Sequence, residues 1–268
     1  MSTLTAGYSL GGLLAETRTF RNRVQANGGT IEDGALEGLY DSGIQQAKSA
    51  GWYSDLVLFS AASAVEDVSG SIATMFDASG AQNDLGQSST AARPTLDRSL
   101  IAGHWGALFD GVDDELTRQP VLESTWDVIA FSRADDSNNS ESELITQYES
   151  GPNGRTILYS NSSKESHNTQ IFNGDFVTGD TGADYDTFNT HRWRRDGTNG
   201  EVFFNGDSLE EKSGLSSASS AVSDFTIGSR AGSQFLSHSF CAVVAVNGYN
   251  FTDQEHTEII SLINNFYS

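Results

Sequence analysis

The sequence predicts a mainly β protein: an antiparallel sandwich or barrel, preceded by a helical hairpin and closed by a single helix. Three observations predict it. From Trp52 onward helical periodicity all but disappears, and short apolar or alternating runs recur between clusters of Gly, Asn, Asp and Ser. The 268-residue chain holds 27 Gly and 3 Pro, which suits a turn-rich fold, while 15 Phe, 8 Tyr and 4 Trp supply a core to bury. Apolar residues at helical spacing are confined to the two ends of the chain. The length fits one large domain, or one domain with a small appendage.

The elements follow in order. Leu13, Thr17, Phe20 and Val24 recur at helical spacing, and Asn27-Gly28-Gly29 ends that run as a C-cap does. Thr30 followed by Asp33 is expected to cap a second helix carrying Leu36, Leu39, Tyr40, Ile44 and Ala47 on one stripe, ending at Gly51. Two short helices cannot bury both stripes by themselves. Residues 1–51 are therefore expected to form an attachment or oligomerisation segment, with Phe20, Val24, Leu36 and Leu39 at the contact. Residues 52–268 form the sandwich, and deleting residues 1–50 should leave it folded but unable to assemble.

Strands are expected at 55–60, 107–110, 126–133, 144–149, 156–160, 169–173, 191–195, 201–205, 225–228 and 240–246. Asp196-Gly197, Asn199-Gly200 and Asn205-Gly206 supply residues that tolerate positive φ at tight turns. Ten such short strands make a sandwich or a barrel. The nearly unbroken apolar runs 128–131 and 242–246 predict strands covered on both faces. Segments 135–142 and 213–224 read as exposed loops. Thr252 and Glu255 have capping-box spacing, and Ile259, Leu262, Ile263 and Phe266 line one face of the helix they open.

Charge excludes several function classes. Acidic residues outnumber basic ones by 36 to 15, a net charge of −21, which disfavours contact with nucleic-acid phosphates or an anionic membrane. The single cysteine, Cys241, lies in an apolar run and reads as a buried thiol; it excludes an internal disulfide and a cysteine-based zinc site. The N-terminus lacks the basic n-region of a signal peptide, and no apolar run approaches the ~20 residues of a membrane-spanning helix. A soluble product made in the cytoplasm is expected.

The motifs that can carry chemistry are sparse. Gly7-Tyr8-Ser9-Leu10-Gly11 matches a nucleophile elbow, but only six residues precede it, too few to build the sheet that chemistry needs. His104, His167, His191, His238 and His256 show no HxH or HxxxH pairing, and His256 is expected to face solvent. The loop 75–84 offers Asp77, Asn83 and Asp84 as oxygen ligands for Ca²⁺, or as side chains that tie the loop together. Asp110, Asp113 and Asp114 cluster three carboxylates that either hold a cation or form a solvated turn. In His191-Arg192-Trp193-Arg194-Arg195, strand alternation puts Arg192 and Arg194 on one face, for ion pairs within the protein or a contact between subunits. Glu141-Ser142-Glu143 comes nearest to a paired-carboxylate site, yet no acidic triplet lies inside an apolar strand, so no enzyme activity is expected.

Several segments resemble the concanavalin A-like or laminin-G-like jelly rolls, particularly those of tailed-bacteriophage virion proteins. Met75-Phe76-Asp77-Ala78-Ser79-Gly80-Ala81-Gln82-Asn83-Asp84-Leu85, then Arg93-Pro94-Thr95-Leu96, then Phe109-Asp110-Gly111-Val112-Asp113-Asp114-Glu115-Leu116 resemble the family's opening block. Trp193-Arg194-Arg195-Asp196-Gly197 and Val202-Phe203-Phe204-Asn205-Gly206 resemble its central hairpin. The stretch Val244-Ala245-Val246-Asn247-Gly248 through Glu255 resembles its closing strand and capped helix. The resemblance covers residues 52–268.

It implies an antiparallel jelly-roll sandwich in a non-enzymatic virion structural protein: a capsid decoration, head fibre or tail component located on the particle. The expected partners are other virion proteins and further copies of itself, in a trimer for example. No cofactor is implied beyond a structural Ca²⁺. The E-x-D-x-E strand of the family's laminarinase-type members is absent. The alternative is a carbohydrate-binding module for host-surface glycans, with Trp105, Tyr148, Tyr159 or Tyr185 as a stacking platform; the competing role for each aromatic is core filling.

Overall fold

Strand Ser237–Asn247 organises the protein, because every position from His238 to Val246 is buried. Side chains alternate across a strand, so a strand apolar at every position needs a cover on each face. Phe240, Val243 and Ala245 enter one apolar cluster, whereas Cys241, Val244 and Val246 enter another. The neighbouring strand Thr125–Ala134 divides in the same way: Val128 and Ala130 point to the first cluster, Ile129 and Phe131 to the second. Both apolar runs are thus covered on two sides, as their composition predicts. The computed structural model describes residues 12–119, 122–134, 141–148, 155–161, 167–171, 176–179, 187–215, 224–230, 233–235 and 237–268.

Among the described residues all strand pairings are antiparallel. In the first β layer, Ser237–Asn247 pairs along one edge with Thr125–Ala134, in register from His238↔Ala134 to Asn247↔Trp126. That strand leads on to Asn189–Asp196, Asn199–Phe204 and Asp207–Lys212. The other edge of Ser237–Asn247 is shared by His104–Asp110 and by the first half of Leu56–Val68. Between Ser60 and Val65 the register of Leu56–Val68 breaks. Its second half pairs with Ser71–Asp77 and carries the chain into the second layer. There Ser71–Asp77, Leu85–Gly86, Leu116–Arg118, Phe225–Ile227, Glu141–Tyr148 and Arg155–Asn161 lie side by side. Met75, Leu85, Leu116, Ile145 and Ile227 from this layer meet Trp126, Val128, Trp193 and Val243 from the first.

Helices cover the outer face of the first layer. Helix α1 (Ala15–Ala26) buries Thr17, Phe20 and Val24. A π-helical turn, Leu36–Asp41, continues into α2 (Ser42–Ala50), which ends at Gly51 with φ 90°. Helix α3 (Asp253–Phe266) starts with the expected capping box between Thr252 and Glu255 and buries Ile259, Ile263 and Phe266. Phe20, Tyr40 and Phe59 form a ladder from α1 to the sheet, with ring centroids 4.7 and 5.4 Å apart. Gly43 allows α2 to approach the sheet: a Cβ there would lie 2.5 Å from the Phe59 ring.

Several expectations are corrected. Phe20, Val24, Leu36 and Leu39 do not wait for another subunit; they are buried on this chain's own sheet. Burial of each such side chain contributes about 1.5–3 kcal/mol, which gives the helices their partner. Thr30 does not cap a helix but pairs with Val65 in a two-residue strand. Asn199 and Gly200 lie in a strand opposite Asp196 and Arg195, and Gly197 makes the turn with φ 58°. The strands Ser71–Asp77, Thr95–Ile101 and Asp207–Lys212 are not among those expected: the first mixes apolar and polar residues without a strict alternation, and the other two are largely polar. His256 is buried, with its ring edge-on to Phe203, and burial lowers its pKa to about 4.

Arg192 is likewise not at a subunit contact. Its Nε and Nη2 donate to the Asp127 carboxylate at 2.9 and 2.6 Å, and both side chains are fully buried. Nη2 also donates to the Phe251 carbonyl at 2.7 Å, and the Phe251 N–H donates to Asp127 Oδ2 at 3.0 Å. This bridge fixes the segment that leads into α3. Arg194 pairs with Glu201 across the adjacent strand.

Two outcomes follow from this packing. Deleting residues 1–51 is expected to abolish cooperative folding, because it strips the cover from Phe59, Ile129 and Val244; circular dichroism and dye binding would detect it. A soluble truncated protein with native far-ultraviolet signal would refute the shared core. Arg192→Met, which leaves the Asp127 charge buried and unpaired, should lower stability by about 3–5 kcal/mol in urea titration. Adding Asp127→Leu to that variant should recover most of the loss.

Candidate functional site

The first metal candidate is a closed knot. The Asp77 carboxylate is buried, with Oδ1 accepting from the N–H groups of Phe59 and Ser79 at 2.7 and 2.8 Å. Its Oδ2 accepts from the Asn83 N–H at 2.7 Å and from the Ser79 hydroxyl. Four donors fill the lone pairs of one carboxylate. Burial raises the Asp77 pKa above the usual carboxylate range, and these donors oppose that rise. Asp84 accepts from the Asp77 N–H at 2.8 Å and pairs with Arg23 of α1. Asn83 donates to the Val57 carbonyl at 2.7 Å and accepts from Arg118 at 3.2 Å. The oxygens of Asp77, Asn83 and Asp84 therefore hold the loop and α1 together, the second of the two roles expected of them.

The second candidate is assembled in space as well as in sequence. Carboxylate oxygens of Asp110, Asp113 and Asp114 lie within 4.8 Å of one another. Ca–O distances of ~2.3–2.6 Å allow one ion to reach oxygens so spaced. Asp114 is buried, and its Oδ2 accepts from the Asp110 N–H at 3.0 Å. Burial, followed by the charges of Asp110 and Asp113, raises the Asp114 pKa to about 6.

The aromatic candidates give no free platform among the described side chains. The Arg98 guanidinium lies 4.7 Å from the Trp105 ring centroid and is held by Asp67 at 2.8 Å, so one face of Trp105 is already stacked. Trp105 also packs against the inter-sheet core. The side chains of Tyr148 and Tyr159 are outside the described set, and Tyr185 lies outside the described residues. Glu141 and Glu143 share that position with Tyr148, and the Gly7–Gly11 elbow is also outside the described residues.

A groove that no local motif marks lies on the outer face of the second layer. Its volume is about 510 Å³, and Glu66, Thr74, Gln87, Arg93, Glu115 and Thr117 line it. Strand register creates it: Glu66 is opposite Thr74, Thr74 opposite Gly86, and Gly86 opposite Thr117. Thr117 is in turn opposite Thr226, and Thr226 opposite Thr146, but both of these are buried and the groove ends before them. Cross-strand partners share a face, so a polar row runs at right angles to the strands, with one residue every ~4.8 Å. The adjoining positions, Met75, Leu85, Leu116, Ile227 and Ile145, point the other way into the core. Gly86 leaves the middle of the row without a side chain.

The walls of the groove are held in place. Thr74 Oγ1 donates to Glu66 at 2.9 Å. Arg93 Nε donates to the Gln87 carbonyl at 2.8 Å and Nη2 to the Ser88 carbonyl at 3.4 Å. Glu115 accepts from the Ser229 hydroxyl and, at 3.5 Å, from the Gln87 amide. Thr117 Oγ1 donates to the Gly86 carbonyl at 3.3 Å, so the groove offers fixed acceptors, two hydroxyl oxygens that accept and one guanidinium. The only trace of it in the sequence is a polar residue facing each apolar core residue along short strands.

Comparison with solved structures identifies proteins of similar fold. Domain 4 of a GH43 extracellular arabinanase from Geobacillus stearothermophilus, solved with arabinotriose, superposes with a TM-score of 0.52 at 11% identity, over 62% of this chain and 81% of that domain. The sialidase of Trypanosoma rangeli gives 0.58 at 15% identity, over 85% of this chain but 39% of the sialidase. The receptor-binding domain of botulinum neurotoxin type G gives 0.60 at 10% identity, over 78% of this chain and 51% of that one. No protein-family profile and no curated protein matches the sequence. These likenesses overturn the expectation that the chain is not an enzyme: domain 4 of an arabinanase and part of a sialidase share its fold, so the fold gives no ground for excluding activity. At such identities the fold is what is shared.

The acidic cluster generates a pH prediction. The folded pKa of Asp114, about 6, exceeds its unfolded value near 3.9, so the native state binds the extra proton. Stability should therefore fall as pH rises from about 4 to about 6, by on the order of 1 kcal/mol after solvent screening. Asp114→Asn should remove that fall in thermal melts performed with chelator. An unchanged pH profile in the variant would refute the assignment.

Proposed function

We propose that this chain is a lectin-like, carbohydrate-binding domain of concanavalin A-like jelly-roll type, with the groove over Thr74, Gly86 and Thr117 as its sugar site. The polar row carries the reading. Sugars present hydroxyls that donate and accept, and specificity comes from a few fixed polar groups in a concave site. The groove supplies them on strands, where packing of Met75, Leu85 and Leu116 beneath keeps them in place. Its volume of about 510 Å³ falls within the range of small-molecule sites. Likeness of fold to an arabinanase domain solved with arabinotriose supports the same reading. A virion role has no support among the comparisons, and glycan binding takes its place.

The test is a glycan array probed with the purified protein, followed by calorimetry on the ligands it retains. Thr74→Val with Thr117→Val keeps shape while removing two hydroxyls. At about 0.5–1.5 kcal/mol per hydrogen bond, affinity should drop about tenfold, while loss of the bonds to Glu66 and the Gly86 carbonyl lowers the melting temperature without unfolding the protein. Retention of full affinity would move the site elsewhere, and absence of any ligand would refute the function. Mass spectrometry of the same glycans after incubation separates binding from hydrolysis.

A further inference from the structure

From the groove's charge we infer that it takes neutral or amine-bearing sugars and rejects anionic ones, with Glu66 and Glu115 as the residues that set this preference. The inference rests on the glycan-binding reading and concerns the class of sugar.

Among the described residues that line the groove, two are carboxylates and one is a cation. The cation braces one wall, Arg93 giving its Nε and Nη2 to the carbonyls of Gln87 and Ser88, and its charge offsets only one of the two carboxylates. The carboxylates stand at opposite ends of the lining. Glu66 begins the cross-strand row, and Glu115 precedes Leu116–Arg118 on the far side of Gly86. Each already accepts a hydroxyl, from Thr74 and Ser229 respectively, which fixes its orientation without neutralising its charge. A sugar hydroxyl or ammonium can donate to the remaining lone pairs, and a hydrogen bond from an ammonium is about twice as strong as a neutral one. The carboxylate of a uronate or sialate, or a sulfate group, has no donor to offer there and meets like charge. The whole chain, at −21, adds a repulsive field for any anionic glycan that approaches.

The experiment compares three classes on one array and in calorimetry at low salt: neutral N-acetylated chito-oligosaccharides and arabino-oligosaccharides, their free-amine counterparts where these exist, and oligogalacturonides with sialylated glycans. Binding should be confined to the first two classes, with any acidic ligand at least about tenfold weaker than its neutral analogue. Glu66→Gln with Glu115→Gln should close that gap to within about threefold. The wild-type protein gives a second reading that needs no variant: raising salt should strengthen residual binding of acidic ligands by screening repulsion. Binding confined to, or strongest for, acidic glycans would overturn the inference while leaving glycan binding intact. Absence of binding to all three classes would overturn both.

Discussion

The burial of strand Ser237–Asn247 on both faces is the constraint from which the rest of the structure follows. A strand with Phe240, Val243 and Ala245 on one side and Cys241, Val244 and Val246 on the other cannot leave either side in water. The second β layer covers one side, and α1, α2 and α3 cover the other. The helices at the two ends of the chain are therefore not appendages. They complete the same core, and Tyr267 shows the connection directly, donating its hydroxyl to the Cys241 carbonyl at 3.2 Å.

Apolar contact alone would let the helix layer slide, since the hydrophobic effect is not directional. Buried polar groups specify its position. The Arg192–Asp127 bridge grips the Phe251 backbone just before α3. The Asp77 and Asp84 carboxylates, with Arg23, connect α1 to the end of Ser71–Asp77. A third link joins Glu32, which is 6% exposed, to the His104 ring at 2.7 Å and to the Trp105 N–H at 3.2 Å. Burial raises the Glu32 pKa, while the His104 ring packs at a tilt of 48° against Phe266, with centroids 4.4 Å apart. Each link couples segments far apart in sequence. Such links contribute little net stability when solvent is excluded from both partners, but removing one partner is costly.

This arrangement also decides where function can reside. The helices occupy the outer face of the first layer, and the groove over Thr74, Gly86 and Thr117 lies on the outer face of the second. On it, side chains that alternate with the core form a polar row held at strand spacing. The row requires no loop to position it, and the wall loop 87–93 is braced by Arg93. Rigid strands beneath a braced rim make a site that is organised before any ligand arrives.

The amino-acid sequence by itself determined the class of the fold. Ten predicted strand segments all fall within observed strands or overlap them, because runs such as 128–131 and 242–246 carry their burial in their composition. The C-terminal helix was equally plain, since Thr252 and Glu255 form a cap through neighbours three residues apart. Local chemistry of that kind is visible without the fold. Tertiary structure alone decided the destination of the helix stripes, the pairing of Arg192 with Asp127 and the groove itself. Phe20 or Leu36 reads the same whether it faces a second subunit or its own sheet, and nothing near Arg192 in sequence names a partner 65 residues away. Glu66, Thr74, Gly86 and Thr117 meet only through strand register, which depends on long-range pairing and leaves no spacing pattern along the chain.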